Sequence, residues 1–249
     1  IIYFLIYKKN KIKIIFDDYM KYINKNEYSY RYKNLNIKNV YLNNIKDLIE
    51  NDKNIINNKI KKLNIILKNY KLRNNCHWNF KLLNPEIDFG FPFTLDNYIF
   101  IQHSNIDIGT LLHEQIHIHQ RNNKNLYKQL YNKLGFNILQ NKKLLYEFIK
   151  KNNIIILTNP DGLDIYIYNN RYIPLLIIYD SYPKEILIDT YKITNINKWD
   201  IKDIFYKSSF NIEHSLYHPN EITAESISQY IINNKKINNI IIEFINNFI

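Results

Sequence analysis

The chain is predicted to fold as one mixed α+β domain, on three observations. Apolar residues recur at helical spacing over 44–70 and 108–151, short β-rich segments fill 154–191, and a proline-initiated helix follows from 219. At 249 residues and 30.3 kDa the chain can bury a full core without disulfides or structural metal. Hydrophobic residues at 46% and charged residues at 23% sit near globular averages, which excludes a disordered, collagen-like or coiled-coil chain.

Taken in order, residues 1–32 open with apolar β-like runs broken by lysines, and 28–32 alternate as a half-buried strand does. Over 44–70, Ile45, Leu48, Ile49, Ile56, Ile60, Leu63 and Leu67 recur every three or four positions, which predicts one or two amphipathic helices. Pro85, Gly90 and Pro92 mark 82–95 as a loop, and 97–102 read as a strand. Asp107 is placed to cap a helix over 108–122, followed by a second over 126–151 interrupted at Gly135. Residues 154–158, 163–168, 171–179 and 185–191 are β-rich and separated by turn signals, so a small antiparallel sheet is expected. Pro219 then starts a helix reaching about Asn233, and a short apolar helix closes the chain. Within the single domain 1–249, residues 1–95 form an N-terminal part, and 96–249 a core with a β-rich insertion at about 153–192.

The single cysteine, Cys76, excludes an intrachain disulfide and a four-cysteine zinc module, and points to a reducing, cytoplasmic compartment. Apolar runs fall well short of the ~18 residues a membrane span requires, so no membrane partner is expected. Residues 1–7 are apolar but lead into Lys8 and Lys9 with no small-residue cleavage signal. The net charge of +11 would ordinarily suggest nucleic acid. It is discounted because Asn, Ile, Lys and Tyr, which share A/T-rich codons, are all inflated while glycine falls to 4, and the lysines are scattered.

Chemistry concentrates at His113-Glu114-Gln115-Ile116-His117, an HExxH motif on a predicted helix. A helix turns about 100° per residue, so His113 and His117 lie one turn apart on one face and can reach a single tetrahedral ion. Glu114 stands beside the first imidazole, within reach of a water at that ion. Such a site needs a third protein ligand and an open fourth position. A metzincin-type third histidine is excluded, since the relevant positions hold Gln120 and Asn123.

Downstream, Asn220-Glu221-Ile222-Thr223-Ala224-Glu225 places two acids four residues apart on one helical face. With HExxH, this segment resembles the NExxSD-type pattern of the gluzincin metallopeptidases. The resemblance rests on about 12 residues, with Glu225 where Asp is usual and about 100 residues between His117 and Glu221. Composition and motif style also resemble unclassified HExxH proteins of large DNA viruses.

The resemblance implies a zincin-like metallopeptidase domain that hydrolyses peptide or protein substrates. One Zn²⁺ would be held by His113, His117 and Glu221, with Glu114 as general base and Glu225 orienting a metal-binding histidine. It also implies an edge strand beside the active-site helix that pairs with extended substrate, for which 98–102 is the candidate. A further donor to the oxyanion is implied, and Tyr217, His218, His214, Tyr166, Tyr168 and Arg171 all remain open for it. The β-rich insertion is expected to form part of the cleft.

Two other classes compete: a zincin scaffold used for binding without turnover, and a basic nucleic-acid-binding protein with an accidental motif. An intact Glu114 argues against the first, and scattered lysines against the second. Other residues are expected to do structural work. His119 falls on the opposite helix face from His117, His77 and His103 have no partner motif, and 159–162 (Asn-Pro-Asp-Gly) is a turn. Cys76 is expected to be a buried thiol, and Arg121 to pair with a nearby acid.

Overall fold

The computed structural model describes residues 27, 31, 45–76, 78–85, 87–179, 182–191, 210–212 and 215–249. Expectations for 1–26, 28–30, 32 and 44, and those for His77 and His214, lie outside the described residues. The elements are β1 (Ile45–Lys46), α1 (Glu50–Ile66), β2 (Asn79–Leu83), β3 (Phe93–Leu95), β4 (Tyr98–Ile101), α2 (Ile108–Asn122), α3 (Lys124–Lys133), β5 (Phe136–Ile138) and α4 (Lys143–Asn152). They continue with β6 (Ile155–Ile156), β7 (Tyr166–Tyr168), β8 (Tyr172–Tyr179), β9 (Tyr182–Asp189), α5 (Pro219–Asn233) and α6 (Asn239–Phe248). The mixed α+β class is thereby observed. No helix among the described residues is long and apolar enough to cross a membrane.

Two sheets flank the helices. The first has order β1-β2-β4-β3, with β2 and β4 parallel and the other pairs antiparallel. The second is antiparallel throughout the described pairs, running β5-β7-β8-β6 with β9 on the far side of β8. The β-rich insertion is therefore a sheet, as its turn signals predict. Its strands alternate as a two-sided sheet must: Ile173, Leu175 and Ile177 face Leu145 and Phe148 of α4, while Leu176 faces a cleft.

Helix α2 runs through the centre. Asp107 caps it, its Oδ1 accepting from the Thr110 amide at 2.9 Å and its Oδ2 from the Thr110 hydroxyl at 2.6 Å. Leu111, Leu112, Ile116 and Ile118 are buried in the main core, and Glu114, Gln115, His117, His119 and Gln120 are buried as well. A helix buried on so many sides needs partners for its polar groups, and α5 supplies them by packing along it. Helix α5 can come close because the small residues Thr223, Ala224, Ser226 and Ser228 are buried, while Ile222 and Ile227 enter the core. Truncating fully buried Ile116 to alanine is expected to lower unfolding free energy by about 2–5 kcal/mol, read from chemical denaturation.

Three expectations need correction. Residues 126–151 do not form one interrupted helix, because Gly135 at φ +91 ends α3 and β5 pairs with β7 before α4 begins. A Cβ at 135 would lie 2.4 Å from Asn169 Oδ1, so glycine is needed where the chain crosses that turn. The 82–95 segment is no plain loop, since it ends β2 and contains β3. Strand β4, expected at the edge, lies between β2 and β3, so the edge strand is β3.

Candidate metal centre and active site

Helix α2 presents His113 and His117 on one face, and the first turn of α5 brings Glu221 against them. His113 Nε2 and His117 Nε2 are 2.9 Å apart, and Glu221 Oε2 lies 3.2 Å from the first and 3.4 Å from the second. An ion with ligand bonds of about 2.0–2.1 Å in tetrahedral geometry sets its ligands about 3.3 Å apart, so this triangle fits a small divalent cation. These three residues, expected from motifs about 100 positions apart, form the group of possible ligands found among the described residues.

The outer nitrogens are committed elsewhere. His113 Nδ1 meets Glu225 Oε2 at 3.3 Å, and His117 Nδ1 meets Gln120 Oε1 at 2.8 Å. Each Nδ1 carries its proton outward to an acceptor, which leaves the Nε2 lone pairs facing Glu221. Gln120 is itself held, its amide donating to Asn220 O at 2.8 Å and to Thr223 Oγ1 at 2.9 Å. Glu221 Oε1 accepts from Asn159 Nδ2 at 2.9 Å.

Protons can occupy the positions a cation would take. Burial disfavours a charged His113, yet Glu221 and Glu225 outweigh it and hold the imidazole well above its ordinary value. His117 is likewise opposed by burial but raised to about 9 by Asp161 and Glu221. Burial pushes Glu221 up, and the two imidazoles overcome that and keep it well below the usual carboxylate range. A metal and these protons compete for the same lone pairs.

Glu114 is 4% exposed, and its Oε2 has no hydrogen-bond partner among the described residues. Burial, then the charge of Asp161, push its carboxyl up to about 7 against the pull of His117 and His113. A buried carboxyl with an unused oxygen beside the ligand triangle is chemically a proton acceptor awaiting a partner.

A cleft of about 820 Å³ opens onto these groups. Its walls come from Phe91 to Phe93 before and within β3, from Asp107 to Thr110 at the start of α2, from Leu157 to Asp161, from Leu176, Pro183 and Glu185 of the second sheet, and from α5. The insertion thus contributes a wall, as expected. The Asn159-Pro160-Asp161-Gly162 turn does more than reverse the chain. Asp161 Oδ1 accepts from the Thr94 amide at 3.2 Å and from Arg121 Nη2 at 3.3 Å, while Arg121 also donates to Asp96 O at 2.6 Å and Thr94 O at 3.0 Å. Gly162 allows close approach to α5, since a Cβ there would sit 2.6 Å from His218 Cε1.

Among the open oxyanion candidates that fall within the described residues, Tyr217 is the one that lines the cleft. Burial, then the charges of Glu221 and Asp161, hold its phenol well above the ordinary value, so it stays a donor. His218 caps α5 instead: the Asn220 amide donates to its Nδ1 at 3.1 Å, and its Nε2 lies 3.0 Å from the Asp164 carbonyl, which fixes the Nε2–H tautomer. Tyr166 is buried against Tyr131 and His218, and Tyr168 against Phe136 and Phe210. Arg171 pairs with Asp189 at 2.8 Å away from the cleft. None of these four lines the cleft, and each is engaged in packing, capping or ion pairing instead.

His119 packs as expected, with its Nδ1 3.0 Å from the Tyr127 hydroxyl; His103 is exposed. Cys76 is half-buried, its thiol pushed up to about 12 by burial. Arg121 pairs with an acid as expected, though that acid, Asp161, belongs to the site.

Burial holds His218 down to about 4. Its folded value lies below the unfolded one near 6.5, so the unfolded chain takes up the proton first as pH falls. The contribution of His218 to stability is expected to be full above pH 6.5 and to drop by about 3 kcal/mol on descending toward pH 4. His218→Asn, which keeps a capping acceptor, should shrink that drop in urea unfolding at pH 7 and 4.5.

No protein-family model, curated protein or solved structure matches the chain, so what these side chains can do rests on their own geometry.

Proposed function

We propose that the chain is a zinc-dependent peptidase with a zincin-like fold. The observation that carries this reading is the convergence of His113, His117 and Glu221 on one point, with the unpartnered Glu114 oxygen beside it in an open cleft. When bound there, Zn²⁺ would supply the Lewis acidity that makes water nucleophilic at neutral pH and polarises a peptide carbonyl. Glu114 takes the proton of the attacking water at its free oxygen and returns it to the departing amine nitrogen. The protonated Tyr217 donates to the oxygen on which negative charge develops. Glu225 and Gln120 keep the two imidazoles aimed.

Phe91 to Phe93, before and at the start of β3, line the cleft where substrate would lie, while the outward amide and carbonyl of Thr94 are already taken by Asp161 and Arg121 and the Phe91 carbonyl by Gln102. The edge of β3 is therefore closed to strand pairing at Thr94, and substrate meets Phe91 to Phe93 as a wall of the cleft.

The test is cleavage of an unstructured protein by purified chain. It should require one zinc per chain, vanish on chelation and return on adding zinc; cleavage indifferent to chelation would reject the reading. Tyr217→Phe is expected to lower kcat about 10²-fold with zinc content unchanged.

A further inference from the structure

We propose that Glu27 and Arg31 are positioning residues that orient the Glu221 carboxylate through Thr158 and Asn159. The inference rests on the reading of Glu221 as a metal ligand. Glu27 is fully buried and Arg31 nearly so, and they pair with each other one helical turn apart, Arg31 Nε donating to Glu27 Oε1 at 2.9 Å. Burying an ion pair is a poor way to gain stability, since its desolvation offsets most of the attraction. What this pair does instead is hold one residue from every side.

Thr158 gives its amide to Glu27 Oε1, gives its hydroxyl to Glu27 Oε2 at 2.8 Å, and receives Arg31 Nη2 on its carbonyl at 2.6 Å. All three polar groups of Thr158 are thus fixed by residues about 130 positions earlier. The next residue, Asn159, has its Oδ1 occupied by the Asp161 amide at 2.9 Å. That settles which way its side-chain amide faces, and directs Nδ2 at Glu221 Oε1, 2.9 Å away. Glu221 is then left with Oε2 toward His113 and His117. Every link from Glu27 to the ligand oxygen is a direct hydrogen bond or a single peptide step.

The arrangement makes Glu27 an element of the site that touches neither ligand nor substrate. Partners beyond the ligands commonly tune metal affinity by 10- to 100-fold, because a carboxylate free to rotate must be ordered again on binding.

The test uses the full chain freed of metal, titrated with Co²⁺ against a chelating indicator, with Co²⁺ absorption as a reporter of ligand geometry. Glu27→Ala and Asn159→Ala should each weaken Co²⁺ binding about 10-fold. The double variant should be no weaker than Asn159→Ala alone, since the two act in series. Full additivity, or an unchanged Co²⁺ affinity and spectrum in Glu27→Ala, would overturn the proposal. Should Glu27→Ala not fold, Glu27→Gln, which keeps an acceptor for Thr158, is expected to weaken Co²⁺ binding measurably but by less than about 10-fold relative to the parent protein, and parent-like affinity would count against the role. The metal-free protein gives a separate readout, the imidazole NMR shifts of His113 and His117. Both should move alike in Glu27→Ala and Asn159→Ala. Unmoved imidazoles refute the positioning role even if cobalt binds, whereas shifted imidazoles in a protein that binds no cobalt would refute only the metal reading.

Discussion

Replacing Glu114 with glutamine is expected to leave one zinc per chain and to slow peptide hydrolysis by about 10²–10⁴-fold, the range ascribed to a positioned general base. Glutamine matches the carboxylate in shape, so the packing around this nearly buried side chain should survive. The amide has no basic oxygen with which to take the proton of water, and that loss is confined to the chemical step. Circular dichroism and metal analysis should therefore match the parent protein while kcat collapses. Undiminished turnover in this variant would remove Glu114 from the mechanism.

Glu221→Gln should produce the other large change, in affinity instead of rate. Its Oε2 is the one anionic corner of the ligand triangle, 3.2 and 3.4 Å from the two imidazoles. A neutral amide oxygen is a weaker ligand for a divalent cation than a charged carboxylate, and a ligand's share of a typical binding free energy is about 3 kcal/mol, or ~10²-fold in affinity. Zinc competition assays should show that loss, and activity should be recoverable in part by excess metal. Retention of tight binding would mean that another group completes the site.

How much of this could be read beforehand depended on how local each signal was. Asp107, the apolar periodicity after it and the HExxH spacing all lie within one helix, so α2 and its two histidines were legible, and Pro219 made α5 equally so. Strand β5 was not, because the apolar residues from Leu134 to Leu139 suit a helix as well as a strand, and what decides is pairing of Phe136 with Tyr168, far along the chain. The position of β4 failed for the same reason: nothing within 97–102 reveals that β3 covers its outer side.

Gln120 could have been found, since it lies one turn beyond His117 on the same helix. Asn159 and Asp161 could not, because a turn sequence carries no mark of the acid or strand it will meet in space. Among the candidate oxyanion donors, chemistry alone left Tyr217 and His218 equal. The difference arose from which one the cap of α5 consumes.

The asparagine excess has an outcome in the backbone. Asn153 and Asn234 end α4 and α5 in left-handed conformation, and Asn169 and Asn170 turn the chain between β7 and β8 with φ of 48° and 54°. These are places where proteins usually put glycine, and asparagine is the side chain that tolerates them best after it. A coding sequence drifting toward A and T could thus shed its GGN codons and still reverse direction at each corner. Asn234→Gly would show how little was surrendered, raising the melting temperature only by the small difference between the two residues.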